Sequence, residues 1–312
     1  MTKDALLKAF FERHIRWRLK SWGIQYVDNA RLGDPAVYLV PLEYALNSVP
    51  RYGYGKPPHQ QLSALFQSDD ARYVELLEAL SVVADDFGAA MGAPAARLGF
   101  KPTNVWFTGL DAFALYGLVA TRNPRRYLEV GSGNSTRITA LARERHQLRT
   151  QIISIDPQPR ADIDALCDTV IRQPLEDVDL KLIDELGHGD ILFLDNSHRC
   201  FMNSDVTVCF MDLLPRLKPG VLLHVHDIWL PNDYPPQWKS RHYSEQYLLA
   251  AWLLAEGRRM RVMLPNAYVS GSATCQSALA ALWSREELIP MHKHAVKLMY
   301  GAQGLSFWCE LS

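Results

Sequence analysis

The chain has 312 residues, with 33 Lys and Arg against 34 Asp and Glu and a formal net charge of -1. A balance so close to zero carries no long-range basic field, which excludes a dedicated nucleic-acid binder, and a hydrophobic content of 48% excludes global disorder. The five cysteines, Cys167, Cys200, Cys209, Cys275 and Cys309, contain no C-x-x-C pair, so neither a disulfide framework nor a zinc knuckle is expected. The longest unbroken apolar run, Tyr247 to Ala255, falls far short of the ~20 residues of a spanning helix. No short apolar leader stands at the amino terminus. These features predict a cytoplasmic protein with no membrane span.

Residues 1 to 22 place Leu6, Leu7, Phe10, Phe11, Ile15 and Trp22 at helical spacing among Lys and Arg, an amphipathic helix whose apolar face suits packing on the domain or on a partner subunit, as in a homodimer, or else a peripheral membrane contact. Residues 33 to 60 are rich in Pro, Gly and Tyr and read as an extended loop, in which Tyr52, Tyr54 and His59 form either a lid or a packed linker. Helical spacing returns from Asp69 to Met91 and from Asp111 to Thr121, ending near Asn123-Pro124. Residues 1–104 are therefore expected to be a helical cap.

From residue 105 to 312 short apolar runs alternate with helices. Strands are expected at Arg126–Val130, Gln151–Asp156, Thr169–Arg172, Asp190–Asp195, Val221–Asp227, around Met260–Leu264 and at Leu305–Leu311, with helices at Ser135–His146 and Ser244–Ala255. This order predicts an α/β, doubly wound, Rossmann-like seven-stranded sheet.

Ligands in such sheets bind outside the carboxyl ends of the strands, at the switch point. There the chain reads Glu129-Val130-Gly131-Ser132-Gly133-Asn134-Ser135, with Asp156 ending the second strand. A dinucleotide loop would need a third glycine where Thr136 stands, which speaks against a dehydrogenase. An acid beside the glycine loop repels a pyrophosphate but suits a ligand with an ammonium group and free ribose hydroxyls.

Glu129-x-Gly131-x-Gly133, Asp156 and the Lys218-Pro219-Gly220 lead-in resemble the signature of class I S-adenosylmethionine-dependent methyltransferases. The resemblance implies that fold, and S-adenosylmethionine held by Glu129, Gly131, Ser132, Gly133, Asn134, Ser135, Asp156 and Asp195. It places Leu175 and Glu176 at the adenine by position alone. Arg51 to His59, Gly109-Leu110-Asp111-Ala112 and His224-Val225-His226-Asp227-Ile228 further resemble a bacterial subgroup often found beside glycosyltransferase-like genes. Trp106 and Asp111 lie where members of the family often enclose the cofactor.

Asp195 and His198 follow the fourth strand; His224, His226 and Asp227 end the fifth. Asp195, His198, His226 and Asp227 are the expected catalytic set, with either histidine as general base. Strand alternation puts His224 and His226 on one face and Asp227 on the other, and His224 reads as a core residue. Catechol-type O-methyltransferases look similar here, which implies a divalent cation on Asp195, His226 and Asp227. An imidazole ligand would favour Mn, Fe or Zn over Mg. Both schemes remove a proton, so the expected reaction is O-methylation of a sugar or natural-product hydroxyl, on a small molecule rather than a nucleic acid. A metal-dependent oxygenase or hydroxylase, or a non-catalytic cofactor-binding subunit, are the alternatives.

Overall fold

The computed structural model describes residues 46–255 and 260–312. The expected helix at 1–22 and the dimer contact built on it lie outside those residues. Tyr52–Tyr234 and Tyr243–Ser312 form one compact unit, which contains the whole sheet. In the other unit, the described stretch Pro235–His242 holds a short 3-10 turn, Pro236–Trp238, with the Arg241 guanidinium 3.8 Å from the Trp238 ring centroid.

Seven strands build one sheet: β1 (Arg126–Val130), β2 (Gln151–Ile155), β3 (Thr169–Ile171), β4 (Ile191–Leu194), β5 (Leu222–Val225), β6 (Met260–Pro265) and β7 (Phe307–Leu311). Their order across the sheet is β3-β2-β1-β4-β5-β7-β6, with β1 to β5 parallel and β7 antiparallel to both neighbours. The expected α/β doubly wound sheet is the fold observed. Chain direction away from β1 reverses between β1 and β4, so the switch point lies between their carboxyl ends.

The inner strands are nearly all apolar because helices cover both faces. One cross-strand row is an exception: Glu129, Phe193, His224 and Trp308 stand in register on β1, β4, β5 and β7, each fully buried. Phe193 stacks on His224 with centroids 3.7 Å apart, and Trp308 follows at 4.7 Å. His224 Nε2 meets Ser306 Oγ at 2.7 Å. It is a core residue, and burial pushes its imidazole well below the usual histidine range.

Where element ends differ from expectation, local chemistry accounts for it. The segment 69–91 is broken: helices Asp70–Leu80 and Ala84–Ala90 flank a 3-10 turn, Ser81–Val83. Ser81 Oγ donates to Leu77 O at 2.8 Å, and Val82 and Val83 are β-branched, both unfavourable to a continuing helix. β5 stops at Val225, two residues early, because Asp227 takes a left-handed φ of 57°. Helices Asn266–Gly271, Gln276–Trp283 and Ile289–Leu298, between β6 and β7, are elements the sequence reading did not place.

The loop at 52–59 packs onto the segment after β5. His59 N donates to Pro231 O (2.9 Å), Asp233 N to Tyr52 O (3.2 Å) and Tyr54 Oη to Asp233 O (3.0 Å). Gly53, at φ 75°, lies so close that a Cβ there would stand 2.7 Å from the Asn232 side chain. The structure thus shows a packed connection at Tyr52, Tyr54 and His59. No helix among the described residues is long and apolar enough to cross a membrane.

One buried acid ties the helix Leu110–Arg122 to the carboxyl-terminal antiparallel strand pair. Asp111, 1% exposed, accepts from Leu305 N and Ser306 N at 2.8 and 2.7 Å and from Asn266 Nδ2 at 2.8 Å. Asp111→Ala would leave those donors buried and unpaired, at a cost of at least about 3 kcal/mol. Urea unfolding of the variant checks this, and a loss below about 1 kcal/mol would contradict it.

Candidate active site

The loop from Gly131 into the Asn134–Arg145 helix is assembled by short polar side chains. Gly131 N donates to Ile155 O at 2.9 Å, and Gly131 holds φ 80°. A Cβ on it would stand 1.8 Å from the carbonyl oxygen of Asp195, so only glycine allows this approach. Gly133 is different: a Cβ there would meet nothing within 4 Å, which leaves open space over the loop where a ligand can come close. Ser132 N donates to Asp156 Oδ2 (2.9 Å) and Gln158 N to Asp156 Oδ1 (2.8 Å), so the acid after β2 braces the loop and keeps spare acceptor capacity. Asn134 Nδ2 donates to Asn104 Oδ1 at 2.9 Å. Leu175 is buried and Glu176 half-buried in a 3-10 turn, Leu175–Asp177, after β3.

Glu129 lies beneath this loop with no exposed surface. Tyr127 Oη and Ser135 Oγ each donate to Oε2 at 3.0 Å, and the Thr136 hydroxyl donates to Oε1. Thr136 Oγ1 also accepts from Gly133 N at 3.0 Å, so the residue in place of a third glycine fastens the loop to the acid. Glu129 and Ser135 therefore shape the loop from below.

At the ends of β4 and β5 four expected residues meet. Asp195 Oδ1 stands 3.3 Å from both His198 Nε2 and His226 Nδ1. The Asp227 carboxylate approaches the same two nitrogens at 3.7 Å each. Strand alternation had sent Asp227 to the opposite face; it joins the cluster because the chain has left the strand and turned left-handed. His198 is also left-handed, at φ 60°. Two such backbones beside one site are strain that the surroundings must hold.

Behind each imidazole lies another acid that sequence reasoning did not assign to it. His198 Nδ1 is 2.9 Å from Glu245 Oε2, and His226 Nε2 is 3.5 Å from Asp111 Oδ2. Burial works against charge on both rings. For His198 it is outweighed by hydrogen bonds to Asp195 and Glu245, and for His226 by the charges of Asp195 and Asp227, so both stand well above the usual histidine range. Burial likewise opposes the ionised form of Asp195, but His226 and then His198 hold it well below the usual carboxylate range. These are imidazolium–carboxylate contacts. Among the described residues no group of three or more His, Cys, Asp or Glu side chains is arranged to hold a metal ion, so the cation expected on Asp195, His226 and Asp227 finds no preformed site.

A family model described as a methyltransferase domain matches residues 128–228, the stretch from β1 to just past β5 that carries this site. Residues 128–228 therefore form a methyltransferase domain. No curated protein matches it. Among solved structures, the methyltransferase PaMTH1 of Podospora anserina, bound to SAH, is similar at 15% identity, covering 69% of this chain and 95% of that one with a TM-score of 0.35. The glycine loop of this domain and its acid-histidine cluster adjoin through the Gly131–Asp195 contact.

Burial pushes the Glu129 carboxyl up from 4.5 to about 7, against the hydroxyls that bond it. Between those values the folded chain holds a proton that the unfolded chain has lost. Stability is therefore lost as pH rises across this window, by about 3 kcal/mol in all, and levels off above it. Glu129→Gln removes the titration. The stability of wild type relative to this variant should fall by that amount between about pH 4.5 and about pH 7 in urea unfolding. A pH-independent difference would contradict the assignment.

Proposed function

We propose that this methyltransferase acts on a hydroxyl of a small molecule, of the sugar or natural-product kind, with His198 or His226 as the general base. The observation that carries the reading is the pair of imidazoles shared by the single carboxylate of Asp195, directly beside the cofactor loop. S-adenosylmethionine, when bound, supplies a methyl group on a sulfonium. The open space at Gly133 and the spare acceptor capacity of Asp156 fit its amino-acid and ribose portions, while Glu129 shapes the loop from beneath. Leu175 and Glu176 would flank its base.

A hydroxyl acceptor must give up a proton, and amines lose theirs more readily, so a buried base favours oxygen. At rest both imidazoles hold protons against Asp195 and Asp227. A positive charge placed beside Asp195 competes for that carboxylate and loosens its hold on the imidazolium, so that one ring releases the proton facing Asp195 to solvent and can then take the acceptor proton. Asp195 and Asp227 then stabilise the imidazolium that re-forms. The reading includes a cytoplasmic enzyme, free of nucleic acid and acting as a homodimer.

A second reading puts a divalent cation in place of the two imidazolium protons. It is favoured by the buried acids behind both rings, the usual orienting partners of metal-bound histidines. The side chains would have to close around the ion, since they do not do so as they stand.

Isothermal titration calorimetry of S-adenosylhomocysteine tests both readings. Asp156→Ala should weaken binding by at least about tenfold, equivalent to one good hydrogen-bonded contact. Binding unchanged in that variant would remove Asp156 from the cofactor site. Heats that collapse in EDTA and return with a divalent cation would replace the proton scheme by the cation scheme.

A further inference from the structure

Glu245 opens the Glu245–Leu254 helix and is fully buried. It is 47 positions from His198, yet the start of this helix is docked on that residue at several points. Ser244 N and Glu245 N both approach the His198 carbonyl oxygen, at 2.9 and 3.3 Å. Ser244 Oγ, instead of capping its own helix, accepts from Cys200 N at 2.8 Å. The Glu245 carboxylate then reaches His198 Nδ1 at 2.9 Å, while its second oxygen, Oε1, is buried with no hydrogen-bond partner. A carboxylate this deep is costly: burial pushes Glu245 up from the usual carboxylate range, and its His198 contact offsets part of that cost.

We propose that Glu245 is a positioning residue for methyl transfer: it keeps a proton on His198 Nδ1, so that Nε2, the nitrogen facing Asp195 and Asp227, is the one that exchanges a proton with the acceptor. The inference rests on the role proposed for His198 and adds what selects its tautomer. Free histidine prefers its proton on Nε2, so without an acceptor at Nδ1 the neutral ring would present the wrong nitrogen. The docked backbone fixes where the ring stands, and the carboxylate fixes which way its proton lies. When the acceptor O–H bond breaks, its electron pair stays on oxygen for the new O–CH3 bond and the proton passes to Nε2. The cofactor's S–C bond electrons remain on sulfur. Glu245 takes no proton and touches no reacting atom.

Long-range proton–nitrogen NMR on protein carrying 15N-histidine reads the tautomer directly, with His198 assigned by its loss in His198→Gln. In wild type, His198 titrated from imidazolium to the neutral ring at high pH should keep its proton on Nδ1. Glu245→Leu, which offers Nδ1 no acceptor, should leave the neutral ring with its proton on Nε2. Glu245→Asp should restore the wild-type pattern in part, which loss of packing alone would not do. A neutral wild-type His198 with its proton on Nε2 would overturn the proposal, and so would a Glu245→Leu protein that keeps it on Nδ1. If Glu245→Leu fails to fold, the wild-type and Glu245→Asp spectra still decide. S-adenosylhomocysteine binding by the same samples separates the two readings. Binding retained without the Nδ1 proton removes Glu245 alone. An Nδ1 proton without binding leaves the pair intact and removes the transfer scheme around it.

Discussion

After β1 and β4 the chain departs toward different helices, yet the backbones of Gly131 and Asp195 remain in contact, with no room between them for a single carbon. That abutment is the constraint on which the site depends. The glycine side faces the open space over the loop, and the aspartate side carries the carboxylate shared by two histidines. The polar braces nearby, Asp156 on Ser132 and Thr136 between Glu129 and Gly133, hold one side of this contact in place. Sheet register holds the other, through Asp195 N on Val130 O at 2.9 Å.

Around that contact charge is concentrated out of proportion to its exposure. Asp195, Asp227, Glu245 and Asp111 surround two imidazoles, and four of the six residues are nearly or fully buried. Burial alone would strip the charge from the two rings; they keep it because each faces an acid on both sides. His224, one turn of the strand pleat deeper, has no such company. It stacks on Phe193 and stays neutral in the same fold, so the environment and not the residue type separates a core histidine from a reactive one.

Much of this architecture was legible from residue order. Buried parallel strands are short apolar runs bounded by Gly, Pro or an acid, and β1, β2, β4 and β5 all read that way. The acids and glycines at their carboxyl ends marked the site because strand ends are where such folds bind. Three things were not legible. Glu245 reads as an ordinary acid in the first turn of a helix, and no local spacing links it to a histidine 47 positions earlier. The left-handed backbones of His198 and Asp227 carry no glycine to announce them, so alternation along an assumed strand sent Asp227 to the wrong face. The three helices between β6 and β7 are short, and their Ala-rich and mixed faces give little periodicity to read.

The exchange of backbone hydrogen bonds between the 52–59 loop and the segment after β5 links positions about 180 residues apart in the chain. Neither stretch has its geometry alone: Gly53 must be bare because Asn232 is there, and Asp233 is held by Tyr52 and Tyr54. A change of shape in one stretch is therefore felt by the other, despite their distance in the gene. A graft of the later segment alone into another scaffold would arrive without the partner that shapes it.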